Sequence, residues 1–285
     1  MGDGEGVAMG LVFVPTPLGN LRDITLRALD TLRDAALVVA EDSRVARRLL
    51  TALELGPKEI WTYHEHNADA TTPAILDRAR DGVVAVVTDA GTPGISDPGS
   101  ALVAAAREAG IVVEVLPGPA AFVCAAVLSG FDLRRFVFAG FPPRSGGPRR
   151  AAFRASLPTT TVWYEAPHRI LASLADLAAV APDRRVFLVR ELTKFHEQQV
   201  LGTAAEVAAA LEEPVRGEIA FVVEGGAVPS DAELAPDGAP EGLDVAIDAM
   251  IADGLTTSAI AKRLADEGRG ERRHLYARVS ERRRP

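Results

Sequence analysis

A short apolar run followed by a long loop rich in glycine and proline constrains this chain most. Residues 83–87 (VVAVV) are typical of a strand buried in a parallel sheet. The loop 88–99 contains three glycines and two prolines, and the apolar segment 101–106 after it favours a helix. Ser96 or Asp97 is expected to cap that helix.

Two interpretations of the loop 88–99 are open. It could be a tight strand-to-helix turn with a helix cap. However, long ordered loops in compact domains are usually functional, and ligands of open α/β sheets bind at the carboxyl ends of the strands. The sequence therefore favours a ligand-binding loop, with Asp89 at the tip of the strand.

The chain is predicted to be an α/β protein with two domains and a small helical appendage. Strand and helix patterns alternate over residues 11–119, with Asp23 opening the first helix, which predicts a mainly parallel sheet. Residues 120–225 contain five more strand patterns, some with connections too short for crossover helices, which predicts a mixed sheet. The other segments are predicted as a disordered leader at 1–10, a linker at 226–240 and a helix-turn-helix-like tail at 241–285.

Positive charge is concentrated in two segments of an acidic chain. The net charge is −8, but residues 133–154 hold six arginines and no acidic residue. Residues 262–285 hold nine basic and four acidic residues. Such runs are often solvated faces. Two basic segments on an acidic body nevertheless favour a polyanion, and hence a nucleic acid, as partner.

Composition and motifs disfavour several other classes of protein. The single cysteine, Cys124, excludes an internal disulfide and a cysteine-ligated metal, which fits a cytoplasmic protein. His64-Glu65-His66 is too weak a pattern for a zinc site, so no metal is expected. No apolar run has the length of a membrane span, so no membrane partner is expected. Dinucleotide, P-loop and nucleophile-elbow motifs are also missing.

Loops built from small residues remain at the predicted strand ends. They offer backbone polar groups and apolar walls, which suit a medium-sized polar ligand with an aromatic part. The residues by themselves thus predict a small-molecule or cofactor site. The loops are residues 15–20, 41–44, 88–99, 117–121 and 163–169.

Seven motifs, in this order and spacing, resemble those of the bacterial small-subunit (16S) ribosomal RNA cytidine 2′-O-methyltransferases, a family of the tetrapyrrole methylase superfamily. The resemblance spans residues 11–225, and the tail is similar to the small helical domain of that family. The motifs are residues 14–25 (VPTPLGNLRDIT), 40–44 (AEDSR), 64–67 (HEHN), 89–99 (DAGTPGISDPG), 117–119 (PGP), 164–169 (YEAPHR) and 190–194 (RELTK).

The resemblance implies S-adenosylmethionine as the methyl donor, held in a cleft between the two domains. Asp89 suits this role, because an ionised carboxylate accepts hydrogen bonds from ribose hydroxyls or an ammonium group. Ala120 and Ala121 leave room for an adenine at a helix start. The implied donor contacts are Leu18, Asp89, Ile95, Ser96, Ala120, Ala121, Glu165 and Leu192.

The implied reaction is methyl transfer to a ribose 2′-hydroxyl, which needs the acceptor and the methyl group in line. A base near the acceptor would take the hydroxyl proton. Lys194 is one candidate, because the chain has only three lysines and arginine stays protonated. An ion pair with Glu191 or Glu197, or a phosphate contact, is the alternative role for Lys194. Glu165 and Asp42 are the other candidate bases.

The implied partner is the small ribosomal subunit, and the resemblance also suggests a homodimer. Two other functions stay open: a methylase of corrin or porphyrin precursors on the same fold, and a noncatalytic RNA-binding factor with a relic donor pocket. The basic segments favour RNA over a tetrapyrrole. RNA contacts are expected at Arg144, Arg149, Arg150, Arg272 and Arg273.

Overall fold

The computed structural model describes residues 9–96, 99–227, 242–267, 269 and 272–283. Contacts divide the chain into two compact units. Unit 1 consists of residues 1–121 and 191–197, and unit 2 of residues 122–190 and 198–285. Most of the predicted leader, up to residue 8, and the predicted linker from residue 228 onwards lie outside the described residues.

Unit 1 contains a five-stranded parallel sheet. Its strands are β1 (Gly10–Phe13), β2 (Leu37–Ala40), β3 (Ile60–Thr62), β4 (Val83–Val87) and β5 (Val113–Val115), in the order β3-β2-β4-β1-β5. β4 is central and all five of its residues are buried, as its apolar sequence predicts. The helices are α1 (Leu26–Asp34), α2 (Ser43–Ala52), α3 (Ala68–Asp81) and α4 (Ser100–Glu108).

Helices cover both faces of this sheet. On one face Val12 of β1 packs in a cluster with Leu32 of α1. On the other face Phe13 packs in a cluster with Ile75 of α3 and Leu102 of α4. Neighbouring strand residues point to opposite faces, so one short strand contributes to both clusters. This doubly wound arrangement leaves the carboxyl ends of the five strands at one edge of the sheet.

Two helix starts differ from the prediction. Asp23 ends a short 3-10 helix, and α1 begins later, after Thr25, whose hydroxyl accepts a hydrogen bond from the Ala28 N–H at 3.1 Å. A threonine cap satisfies an N–H that has no partner within the helix. The prediction that Ser96 caps α4 is wrong, because the loop continues to Gly99, which is the N-cap. Asp97 lies outside the described residues.

Unit 2 contains a five-stranded mixed sheet. Its strands are β6 (Phe136–Phe138), β7 (Thr160–Glu165), β8 (Arg185–Arg190), β9 (Gln198–Thr203) and β10 (Ile219–Val223), in the order β6-β7-β10-β8-β9. β6 and β7 are parallel, and the other three pairings are antiparallel. The helices are α5 (Ala121–Ser129), α6 (Gly146–Ser156), α7 (Ile170–Val180) and α8 (Ala204–Ala209).

Three short helices follow in the tail: α9 (Gly242–Ala252), α10 (Thr257–Asp266) and α11 (Arg272–Arg282). They share a core of buried apolar residues. The predicted fold class is therefore confirmed, with a parallel sheet, a mixed sheet and C-terminal helices. Within the described part of the chain, no helix has both the length and the apolar character needed to cross a membrane.

Candidate active site

Three loops are tied together at the carboxyl edge of the parallel sheet. The backbones of Thr16 and Gly91 exchange two hydrogen bonds, at 2.9 and 3.0 Å. The hydroxyl of Thr92 donates to the carbonyl oxygen of Pro119 at 2.8 Å. The loops after β1, β4 and β5 therefore meet where open α/β sheets bind their ligands.

Thr16 and Gly91 both suit this junction. Thr16 is fully buried, and its hydroxyl donates to the carbonyl oxygen of Thr88 at 3.1 Å. Gly91 has a φ of 83°, and a side chain there would meet Leu18 Cδ2 at 3.2 Å. That backbone angle favours glycine. The sequence analysis missed Thr16, although a threonine between two prolines was a signal that could have found it.

Asp89 follows β4 at this edge, and the residue is exposed. Partial burial of its carboxyl raises its pKa above the ordinary value, and the negative charges of Glu41 and Asp42 raise it further. Glu41 accepts a hydrogen bond from the Thr88 hydroxyl at 3.2 Å. The ends of β2 and β4 thus form an electronegative edge that suits a ligand carrying hydroxyl groups or a positive charge.

Asp42 has a different role from the predicted one. Its carboxylate caps α2 by accepting a hydrogen bond from the Arg44 N–H at 2.7 Å, and it pairs with the Arg44 guanidinium at 2.6 Å. These contacts hold the pKa of Asp42 far below its ordinary value. Because such a carboxylate binds a proton very weakly, it is a poor base. The structure therefore assigns Asp42 to helix capping.

The loop 191–197, which joins β8 to β9, belongs to unit 1 and lies against Gly19. A side chain at Gly19 would overlap Lys194 Cγ and would approach the carbonyl oxygen of Leu192 at 3.3 Å. Leu192 and Lys194, predicted as a donor contact and a base, therefore lie beside the loop that carries Leu18. Close approach of two backbones explains the glycine at this position.

Backbone strain is concentrated in the loops at this edge. Among the described residues, four that are not glycine have left-handed φ angles. Three of them lie in these loops: Ser96 at 65°, Glu191 at 54° and Thr193 at 65°. Such conformations are costly and cluster at functional sites, because the surrounding structure must hold them in place.

Lys194 forms the predicted alternative contact, an ion pair. Its ammonium nitrogen lies 2.9 Å from Glu191 Oε1, and its side chain is 30% exposed. A lysine ammonium has three N–H donors, so it can donate to Glu191 and to a second acceptor at once. Lys194 is therefore suited to holding an anion such as a phosphate.

Glu165 ends β7 in unit 2, and its side chain is fully enclosed. Its carboxylate accepts hydrogen bonds from Ser173 Oγ at 2.6 Å and from the Ala166 N–H at 2.8 Å, and it pairs with Arg169 at 3.3 Å. Arg169 in turn donates to the carbonyl oxygen of Pro142 at 2.7 Å. An enclosed carboxylate with three internal partners holds its own segment together, which does not fit the predicted role as a base.

The other predicted donor contacts all belong to unit 1. Ile95 is 37% exposed, and Ser96 is exposed as well. Ala120 follows Pro119, which is tied to the loop after β4. The remaining members of the set are partly buried: Leu18, Ala120, Ala121 and Leu192.

Two of the predicted RNA contacts, Arg149 and Arg150, are paired inside unit 2. Both guanidinium groups contact Asp176 of α7, at 2.5 and 2.7 Å, and their side chains are 8% and 17% exposed. Burying two cations on α6 requires a nearby carboxylate. The prediction that they bind RNA phosphates is therefore replaced by a structural role, since neither head group faces solvent freely.

The other three predicted RNA contacts, Arg144, Arg272 and Arg273, are exposed. Further along α11 the arginines are paired with α9, Arg278 with Asp244 at 2.7 Å and Arg282 with Asp248. The positive charge that the tail presents to solvent is therefore smaller than its composition indicates.

The fold and the edge together define a class: an α/β protein with a doubly wound parallel sheet and loops at its carboxyl edge, where such sheets bind small polar ligands. The chain belongs to the family of tetrapyrrole (corrin/porphyrin) methylases, whose family model matches residues 10–208. It is therefore a methyltransferase by family, and the resemblance found in its motifs is confirmed.

Relatives match three quarters of the chain or more. The ribosomal RNA small subunit methyltransferase I of Synechocystis sp. is 41% identical over 274 residues, covering 94% of this chain and 96% of that protein. The protein of the same name from Micromonospora olivasterospora is 47% identical over 220 residues, covering 75% of this chain and 70% of that protein.

Solved structures show the same fold at low identity. A uroporphyrin-III-C-methyltransferase from Thermus thermophilus, complexed with S-adenyl homocysteine, has a TM-score of 0.54 at 20% identity, covering 75% of this chain and 96% of that one. A diphthine synthase has a TM-score of 0.58 at 15% identity, covering 75% of this chain and 89% of that one.

Proposed function

We propose that this protein transfers a methyl group from S-adenosylmethionine to the ribose 2′-hydroxyl of a cytidine in small-subunit (16S) ribosomal RNA. The observation that carries the proposal is the loop-lined edge around Asp89, in a chain similar over 94% of its length to a small-subunit ribosomal RNA methyltransferase. The choice of cytidine and of the 2′-oxygen comes from the motif resemblance.

The residues at the edge fit this donor. S-adenosylmethionine would supply an electrophilic methyl group on its sulfonium. Asp89, exposed beside Glu41 and Asp42, would accept hydrogen bonds from the ribose hydroxyls or the ammonium group of the donor. The charges of Asp89 and Glu41 would also attract a cation, whereas the charge of Asp42 is paired with Arg44. Ile95 and Leu18 would offer apolar surface to the adenine.

Catalysis would depend mainly on alignment of the acceptor. A sulfonium methyl group is already reactive, so holding it in line with the 2′-oxygen lowers the barrier most. The enclosed Glu165 and the helix-capping Asp42 are poorly suited to take the proton. The ammonium of Lys194, fixed by Glu191, would hold a phosphate of the RNA beside the acceptor.

The RNA would be held chiefly by exposed arginines outside the ion pairs of unit 2. Arg144, Arg272 and Arg273 are the remaining candidates for phosphate contacts. Such contacts fix the position of the RNA without reading its sequence. The homodimer, the cytoplasmic location and the donor cleft implied by the resemblance stay predictions.

A label-transfer experiment tests the proposal. Purified protein and donor labelled on the methyl group are incubated with small ribosomal subunits lacking the modification, with protein-free 16S RNA, or with a uroporphyrin-type tetrapyrrole. We expect label in the RNA. Label in the tetrapyrrole would instead identify a corrin or porphyrin methylase, and donor binding without transfer to any acceptor would favour a noncatalytic RNA-binding factor.

A further inference from the structure

Phe195 is the most exposed large apolar side chain in the described part of the chain, at 96%. It lies in the loop 191–197, and its ring stands nearly perpendicular to that of His196, with the two ring centres 5.0 Å apart. A single exposed apolar side chain is ordinary on a protein surface. Phe195 differs because it stands on the loop 191–197, which lies against Gly19 at the candidate edge.

The loop that carries Phe195 is braced from within. Besides the ion pair of Lys194 with Glu191, the Thr193 N–H donates to the carboxylate of Glu197 at 2.7 Å. The Glu197 N–H donates to the carbonyl oxygen of Lys194 at 3.1 Å. Glu191 and Thr193 also hold left-handed φ angles, which the surrounding contacts must maintain. The aromatic ring is therefore presented to solvent from a fixed loop.

This loop lies at the candidate edge. Lys194, the residue before Phe195, packs so closely against Gly19 that a side chain at position 19 would overlap it. Since consecutive Cα atoms are about 3.8 Å apart, the ring of Phe195 lies on the order of 10 Å from Gly19. An RNA whose 2′-hydroxyl reaches a donor at this edge comes within reach of the ring.

The loop 191–197 offers an RNA both a stacking surface and polar donors. A nucleotide that enters an active site leaves its base stack, and proteins receive unstacked bases of single-stranded RNA on aromatic side chains. Lys194 and His196, on either side of Phe195, can donate hydrogen bonds to flanking phosphates.

We propose that Phe195 is the stacking surface for an unpaired base of the substrate RNA, at the target nucleotide or next to it. The inference rests on the proposed function, because it takes RNA as the substrate. Phe195 binds substrate in this proposal and takes no part in the chemistry.

The test compares F195A and F195W with the wild type and with V112A. Val112 is 57% exposed and precedes β5, so it lies at the opposite edge of the sheet. Loss of the stacking contact with one base should raise the KM for small ribosomal subunits by about fivefold to 150-fold in F195A. We expect unchanged donor affinity, near-normal KM in F195W, and no effect of V112A.

A direct binding measurement keeps this test separate from that of the proposed function. A stacked base should quench the fluorescence that F195W gains over the wild type when small ribosomal subunits are added. The proposal is overturned by the absence of this quenching, or by a KM in F195A within twofold of the wild type. Quenching without any 2′-O-methylated product would overturn the proposed function and leave the stacking contact standing.

Discussion

Replacing Asp89 by asparagine should weaken donor binding without weakening the fold. Each hydrogen bond from a donor hydroxyl or ammonium to an ionised carboxylate contributes about 1.5–3 kcal/mol, whereas a neutral amide oxygen contributes about 1 kcal/mol. The difference is about 0.5–2 kcal/mol per bond, so with one or two such bonds Asp89→Asn should raise the donor Kd by roughly twofold to several-hundredfold. Isothermal titration calorimetry measures this change.

The same substitution should either stabilise the folded protein or leave its stability unchanged. The pKa of Asp89 is raised in the folded protein by partial burial and by Glu41 and Asp42. Ionisation of Asp89 therefore disfavours the folded state, and stability is lost as the pH rises through this pKa. Asp89→Asn removes that loss, so its Tm at neutral pH should equal or exceed that of the wild type.

The pH dependence of donor binding gives a second readout of the same variant. Wild-type affinity should fall as the pH is lowered through the raised pKa of Asp89, because a protonated carboxyl is a weaker acceptor. Asp89→Asn should lack this step. An unchanged donor Kd, or a Tm that falls in step with the affinity, would refute the assignment and make Asp89 a structural residue of the loop.

Four other predictions address the loop 191–197 and the arginines. Gly19→Ala should slow methyl transfer, by up to about 100-fold, because the new Cβ displaces Lys194 and misplaces the acceptor. Lys194→Met should lower turnover at unchanged donor affinity. It should keep the acid limb of the pH–rate profile, because in this proposal Lys194 holds a phosphate and does not take the proton. Asp176→Ala should lower the free energy of unfolding in urea by about 3 kcal/mol, because it leaves two buried guanidinium groups without their carboxylate. Replacing Arg272 and Arg273 together by alanine should reduce the slope of log K against log salt for subunit binding by roughly 1.4 to 1.8.

Matched controls separate these effects from general damage. Gly147→Ala meets no atom within 4 Å and should leave methyl transfer intact. The pair of Asp77 with Arg80 is exposed, so Asp77→Ala should hardly change the free energy of unfolding. A decrease in Asp176→Ala no larger than that in Asp77→Ala would contradict the argument from the buried pair. Arg107→Ala, in the last turn of α4, should not change the salt slope. Loss of the acid limb in Lys194→Met would identify Lys194 as a base after all.

The edge of the parallel sheet could be predicted from the sequence because its signals are local. An apolar run marks β4, and the glycines and prolines after it mark a loop where backbone approaches backbone. Asp89 follows directly as the first acidic residue after the strand. Each of these signals lies within about 15 residues, a span over which pattern and propensity are informative.

The roles of several polar residues could not be predicted because the fold, and not the spacing in the sequence, brings their partners to them. Arg149 belongs to a run of exposed-looking arginines, and only the packing of α6 against α7 brings Asp176 to it, 27 residues away. Glu165 is enclosed because Ser173 and Arg169 fold back onto it. Tertiary contact, which sequence spacing does not specify, decides whether such a side chain binds a ligand or another part of the protein.

The chemical identity of the product tests the central claim most directly. Small ribosomal subunits lacking the modification are incubated with the wild-type protein and S-adenosylmethionine, and their 16S RNA is digested to nucleosides for mass spectrometry. We predict 2′-O-methylcytidine, with the added methyl group on the ribose fragment, and strongly reduced yield with Asp89→Asn at limiting donor. A methyl group on the base fragment, or no methylated nucleoside while the donor is bound, would contradict the account.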